Sequence, residues 1–242
     1  MIKTVLGAAL HRRVEREWLD DLPPSDDRAI GSRRDLQRLN WLMGHAGIVT
    51  SMLASALPRK NSLRFVELGA GDGTFLLRIA QRLNTRGATV EAALIDQHEL
   101  LTLRTISEFE RVGWRVRAAR ADVLEWLAGG DSETDVILAN LFLHHFDDAR
   151  LAGLLARAAA RCDVFLACEP RRSRFALCAA HLMGAVGCNA VTRHDAVVSV
   201  RAGFRNRELT ALSPRDRTDW ALGETSAGMF SHSFCATRAK PT

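Results

Sequence analysis

The chain has 242 residues, 47% apolar and 25% charged, enough apolar side chain to bury a sizeable core and to exclude a mainly disordered chain. Lys plus Arg exceed Asp plus Glu by 33 to 28, a formal net charge of +5, yet the arginines are scattered from end to end and no basic tail marks a nucleic-acid surface. Tyrosine is absent, which excludes a tyrosinate base, and the five cysteines form no Cys-x-x-Cys pair, so neither a disulfide framework nor a zinc or other metal site is expected.

In chain order, the apolar stretch Thr4 to Leu10 is too short for a signal h-region and runs into His11-Arg12-Arg13, so export is not expected and a reduced, cytoplasmic protein is. No uncharged apolar run reaches the ~18 residues of a membrane span. Residues 1–60 read as a mostly helical cap, interrupted by a turn at Asp21-Leu22-Pro23-Pro24-Ser25-Asp26-Asp27. Between Arg33 and Leu57, Leu36, Leu39, Met43, Ala46, Val49 and Leu53 recur at spacings of three and four, which predicts one helix with a buried stripe, ended by Pro58. Trp41, Leu42 and Met43 are expected to face substrate or core, core being the simpler reading.

Residues 61–242 alternate short apolar runs with amphipathic helices. Strands are predicted at Arg64 to Leu68, Val90 to Ile95, Arg115 to Ala121, Asp135 to Ala139 and Asp163 to Ala167, with a short helix over Val123 to Ala128 and one over Phe175 to Val186. Asp147 or Asp148 is positioned to cap the helix after the fourth strand. Asp219 to Ser226 and Phe230 to Arg238 read as two strands around Ala227-Gly228, with no helix between. The fold class is therefore α/β: a Rossmann-like, doubly wound, mostly parallel sheet with a C-terminal antiparallel β-hairpin and an N-terminal helical cap.

Ligands of such sheets sit outside the carboxyl ends of the strands. The first strand ends in Glu67-Leu68-Gly69-Ala70-Gly71-Asp72-Gly73-Thr74, where three glycines let the main chain turn and approach a ligand. Thr74 occupies the place where a nicotinamide-dinucleotide fingerprint needs Gly or Ala. An acid followed by Gly-x-Gly-x-Gly resembles instead the first motif of class I S-adenosylmethionine (SAM)-dependent methyltransferases. The second strand ends in Asp96-Gln97; the resemblance implies an acid that accepts from both ribose hydroxyls of SAM, the plain alternative being a solvated loop acid. The third leads to Asp122-Val123, where the resemblance implies adenine contacts and where Asp is equally an ordinary helix N-cap.

The fourth strand, Asp135-Val136-Ile137-Leu138-Ala139-Asn140-Leu141-Phe142-Leu143-His144-His145-Phe146, resembles the fourth-strand signature of the ubiquinone-biosynthesis-like methyltransferases, in which the backbone near Asn140 faces the methionine part of SAM. The segments Thr192 to Asp195, Ser199 to Arg201, Gly203-Phe204 and Glu208-Leu209 resemble methyltransferases associated with bacterial type III polyketide synthases. The resemblance implies transfer of the SAM methyl group to a small-molecule acceptor that is phenolic, quinone-like or polyketide-derived. His144 and His145 are the candidate general bases for such an acceptor, because imidazole titrates near working pH; the structural alternative is that they cap and pack. His194 beside Asp195 is a second candidate. Arg171, Arg172 and Arg174 suit an acidic substrate, and read more simply as a solvated helix start. An RNA methyltransferase is the competing enzyme reading; the Asn/Asp-Pro-Pro-Tyr/Phe and Pro-Cys signatures of base methylation are missing. A non-catalytic SAM-binding partner protein is the third reading.

Overall fold

The computed structural model describes residues 10–129, 134–214 and 219–239; apart from Leu10, the apolar stretch from Thr4 lies outside them. Strands β1 (Ser62–Leu68), β2 (Thr89–Asp96), β3 (Trp114–Arg120), β4 (Thr134–Asn140), β5 (Cys162–Pro170), β6 (Trp220–Ala227) and β7 (Ser231–Arg238) form one sheet in the order β3-β2-β1-β4-β5-β7-β6. The first five are parallel, and β7 runs antiparallel to both β5 and β6. Each predicted strand is present within two residues of its expected ends, except that β5 runs on three residues past Ala167 to Pro170.

The helices are α1 (Trp18–Asp21), α2 (Asp27–Leu42), α3 (His45–Ala56), α4 (Thr74–Ala80), α5 (Leu103–Arg111), α6 (Val123–Ala128), α7 (Asp148–Arg161), α8 (Arg174–His181), α9 (Ala190–Ala202) and α10 (Glu208–Leu212). Because side chains alternate along a strand, the central strands feed two cores at once. Phe65, Val136 and Leu138 point to the side of α3, α4 and α5, while Val66, Ile137 and Ala139 point to the side of α6, α7 and α10. β4 is buried along its whole length, whereas the edge strand β3 carries Arg115, Arg117 and Arg120, charges that discourage pairing with another chain.

Three expectations need correction. The helix predicted over Arg33 to Leu57 is two helices, broken at Gly44, whose φ of +70° no L side chain adopts without strain. Trp41 and Leu42 are 64% and 69% exposed rather than in the core; they stand in the last turn of α2, beyond its buried residues Ala29, Ser32 and Asp35. The helix predicted from Phe175 to Val186 is α8, ending at His181, followed by a 3₁₀ turn at Met183–Val186.

The buried face of α2 is polar. Ala29, Ser32 and Asp35 pack on α9, and Asp35 Oδ2 accepts from the Asn189 amide (2.9 Å) and the Thr192 hydroxyl (3.1 Å). α1 is tied to the same helix: Asp195 accepts from the backbone N–H groups of Trp18 (2.8 Å) and Leu19 (3.0 Å). A layer of α1, α2, α8 and α9 therefore sits together, built from both the N-terminal segment and the connection between β5 and β6.

Candidate cofactor and substrate site

The strand order reverses between β1 and β4: the chain winds from β1 to β2 and β3 on one side, then from β4 to β5 on the other. Their carboxyl ends diverge there and leave a crevice. It holds a cleft of about 210 Å³ whose walls include Glu67, Gly69, Ala70, Gly71, Asp96 and Asn140, together with Asp72, Thr74 and Leu141. The outer wall is α2, through Arg33, Leu36, Gln37 and Asn40, with Leu19 and Asp20 of α1. Past Asp96 and His98 it continues into a hollow of about 120 Å³ lined by Leu94, Leu100, Ala119 and Arg120.

Glu67 is 2% exposed and its Oε2 has no hydrogen-bond partner. Burial, with Asp72 nearby, holds its carboxyl well above the usual carboxylate range. Gly69 and Gly71 have φ of +66° and +55°. A Cβ on Gly69 would lie 2.2 Å from the Phe142 ring, so the loop and the segment after β4 are fitted together at that point. Asp96 Oδ2 accepts from the Gly71 amide (2.9 Å) and Oδ1 from the His98 amide (2.9 Å); each oxygen keeps a further acceptor site, and the side chain is 21% exposed at the cleft. Gln37 of α2 donates to Asp72, and the Gln37 carbonyl accepts from Arg78 of α4 (3.1 Å), which fixes the outer wall to the glycine loop.

At β4, Asn140 is held by a residue the sequence reading did not select. His45, fully buried at the start of α3, lies with Nδ1 2.8 Å from Asn140 Oδ1 and Nε2 2.7 Å from Ser231 Oγ. Since an amide oxygen only accepts, Nδ1 carries the proton and Nε2 accepts from the serine. Burial pushes this ring down to about 4, which keeps it neutral. Leu141 follows with φ of +50°, a strained position for a non-glycine residue of the kind found at ligand sites.

Other predicted positions are placed elsewhere. Gly73 (φ +76°) faces Leu94 behind the loop, and Gln97 is exposed, its carbonyl accepting from Arg120. Asp122 Oδ1 caps α6 through the Leu124 (2.8 Å) and Glu125 (3.1 Å) amides, and Val123 is buried in the core; neither lines the two hollows. Arg172 is 4% exposed and donates to the carbonyls of Leu10 and Gly203 and to Glu208, so it locks chain segments together instead of standing in solvent. His194 stacks on Trp18 with ring centroids 3.9 Å apart, beside the Asp195 that holds α1.

His144 and His145 stand just beyond the cleft, in a 3₁₀ turn at Leu143–His145. Glu169, fully buried at the end of β5, organises that turn: Oε1 accepts from the amides of Phe142 (3.0 Å) and Leu143 (2.9 Å), and Oε2 lies 2.8 Å from His144 Nδ1. His144 Nε2 lies 3.2 Å from Glu17 Oε1. His145 donates from Nδ1 to the Phe142 carbonyl (2.9 Å), and its Nε2 is 3.4 Å from Glu17 Oε2 and 3.9 Å from Asp20 Oδ2. Burial lowers both rings, but the carboxylates outweigh it: His144 is raised, and His145 is raised to about 10. Burial likewise raises Glu17 and Glu169, and their hydrogen bonds to the histidines bring both below the usual range. Each ring thus faces an acceptor at both nitrogens, His144 between Glu169 and Glu17 and His145 between the Phe142 carbonyl and Glu17.

No family model matches the chain, and no curated protein matches it in sequence. Solved structures do match in fold. An O-methyltransferase family protein from Burkholderia thailandensis aligns with TM-score 0.56 and 15% identity over 91% of this chain and 65% of its own. The mitomycin 7-O-methyltransferase aligns with TM-score 0.55 and 17% identity over 91% and 60%. The plantazolicin methyltransferase BamL, in complex with a triazolic desmethylPZN analog and SAH, gives TM-score 0.62 at 10% identity over 92% and 93% of the two chains. This chain has the methyltransferase fold. It spans 65% and 60% of the lengths of the first two, so what those larger proteins act on is a property of theirs.

Proposed function

We infer that the protein is a SAM-dependent methyltransferase acting on a small molecule. The observation that carries this reading is the cleft at the strand-order reversal, where Glu67, the glycine loop and Asp96 converge. The residues fit the cofactor: Glu67 Oε2 has no partner within the chain, the backbone at Gly71 is open, and Asp96 retains acceptor capacity for a ribose diol. Asp96 would hold the ribose, the Gly69 to Gly71 backbone and Asn140 the methionine part, and the hollow past His98 the adenine.

SAM supplies an activated methyl group on a sulfonium centre. What remains for the chain is to bind, align and exclude water; a well-aligned geometry is worth about 7–11 kcal/mol in favourable intramolecular cases. α1 and α2 cover the cleft, which supports the reading of residues 1–60 as a cap over the acceptor. α3 contributes Ala46, Val49 and Leu53 to the sheet core, so the covering role belongs to the part before it. His144 and His145 are assigned to the acceptor end, where Asp20 joins the cleft wall to His145. A base at this point must first lose the proton that Glu17 holds on it.

The fold neighbours support a small acceptor, being methyltransferases of mitomycin, plantazolicin and magnesium protoporphyrin IX. A phenolic, quinone-like or polyketide-derived hydroxyl is the acceptor class in keeping with a base at this position. Titration calorimetry with SAH tests the cofactor assignment. Wild type is expected to bind one equivalent, and Asp96→Ala to bind about 100-fold more weakly, the loss of two charge-assisted hydrogen bonds at ~1.5 kcal/mol each. Undiminished affinity in the variant contradicts the assignment.

A further inference from the structure

The Glu17, His144 and His145 cluster has the arrangement of a metal site. One ligand atom from each of the three lies within 4.8 Å of the others. His144 Nε2 is 3.2 Å from Glu17 Oε1 and His145 Nε2 is 3.4 Å from Glu17 Oε2, separations like the ~3.4 Å between ligand atoms of a tetrahedral ion bound at ~2.0–2.1 Å.

A second feature points the same way. Each ring is tied at Nδ1 to an outer acceptor, His144 to the fully buried Glu169 carboxylate at 2.8 Å and His145 to the Phe142 carbonyl at 2.9 Å. Metal-binding histidines are oriented in this way: the outer hydrogen bond fixes the Nδ1–H tautomer and aims the Nε2 lone pair at the ion. Glu17 is positioned too, since Ser199 donates to its Oε1. Both Nε2 atoms face the one Glu17 carboxylate in a site where His144 is 3% and Glu17 7% exposed. A divalent ion at this point would have its charge balanced by Glu17 and Glu169.

We propose that Glu17, His144 and His145 bind one divalent transition-metal ion of the zinc class, with its remaining coordination position beside Asp20 at the cleft wall. Two imidazoles and one carboxylate with an open position are the ligand set of catalytic zinc and of the related first-row ions. Composition gave no hint of it, because Glu17 lies 127 residues before His144. The site does not depend on the methyltransferase reading, and with the ion bound neither ring is free to act as the base.

The test uses metal-stripped full-length protein titrated separately with Zn²⁺ by calorimetry and with Co²⁺ by visible absorption, neither involving methyl transfer. One ion per chain is expected, with a Co²⁺ ligand-field spectrum and no thiolate charge-transfer band. His145→Ala and Glu17→Gln, shown by circular dichroism to be folded, should each bind at least 100-fold more weakly. Equal binding by wild type and both folded variants, or a cobalt–thiolate band placing the ion on the free cysteines, would overturn the proposal. If both variants fail to fold, Ser199→Ala, which alters only the setting of Glu17, should weaken Zn²⁺ about 10-fold, and unchanged affinity would count against the site.

Discussion

At the scale of single residues, buried charge placement determines the chemistry. His145 is raised to about 10 even though burial alone would lower it, because Glu17 and Asp20 face its Nε2. In the unfolded chain the ring titrates near 6.5. The stabilisation from this raised value is therefore complete below pH ~6.5 and is lost as pH rises towards 10. Glu17 has the opposite sign: its lowered pKa contributes above the ordinary carboxylate range and is lost on acidification. In metal-free protein, the denaturation midpoint should fall between pH 7 and pH 10, and the fall should be shallower in Glu17→Gln. NMR titration of the variant should show His145 moving from about 10 towards 6.5; a ring that still titrates near 10 would show that Glu17 is not the cause. These partners were not legible in the sequence. His144 and His145 stand out as a pair, but Glu17 and Glu169 lie 127 and 25 residues from His144, and no local pattern links them. His45 was hidden for the same reason, 95 residues from Asn140.

Elements were read well where their cause is local. The apolar runs of β1 and β4, the Asp147 cap of α7, whose side chain accepts from the Arg150 amide at 2.8 Å, and the glycine loop all follow from neighbours in sequence. The break at Gly44 was missed because Leu39, Met43 and Ala46 keep helical spacing across it, and spacing alone does not report a left-handed φ. Gly44 and Gly69 separate two costs. Both have positive φ, +70° and +66°, but a Cβ on Gly44 meets nothing within 4 Å while one on Gly69 meets Phe142 at 2.2 Å. Gly44→Ala should therefore lose about 1 kcal/mol, the conformational cost alone. Gly69→Ala should lose at least ~2 kcal/mol, because overpacking adds to it, and should weaken SAH binding as Phe142 and the loop shift. Equal losses in urea denaturation would mean that the close approach to Phe142 does not constrain the loop.

Across the whole molecule, the sheet was predictable and the covering layer was not. Alternating strands and helices dictate the doubly wound core, but the layer over the cleft joins α1 and α2 to α9, and its contacts are polar and distant in sequence. Asp35 is 6% exposed and accepts from Asn189 and Thr192, 154 and 157 residues away. Asp35→Ala leaves the partly buried Asn189 N–H without its acceptor and should cost about 1 kcal/mol. Hydrogen exchange should speed up in α2 and α9 while β1 and β4 stay protected; uniform acceleration would mean that the layer and the sheet open as one unit.

The central claim is methyl transfer from SAM to a small molecule. It is tested most directly by incubating the protein with methyl-labelled SAM and an extract of its host, then partitioning the label among organic-extractable, nucleic-acid and protein fractions, with Asp96→Ala alongside. Label in the organic fraction that disappears with the variant is the predicted result. Label in nucleic acid or protein, or organic label that survives in Asp96→Ala, would contradict it.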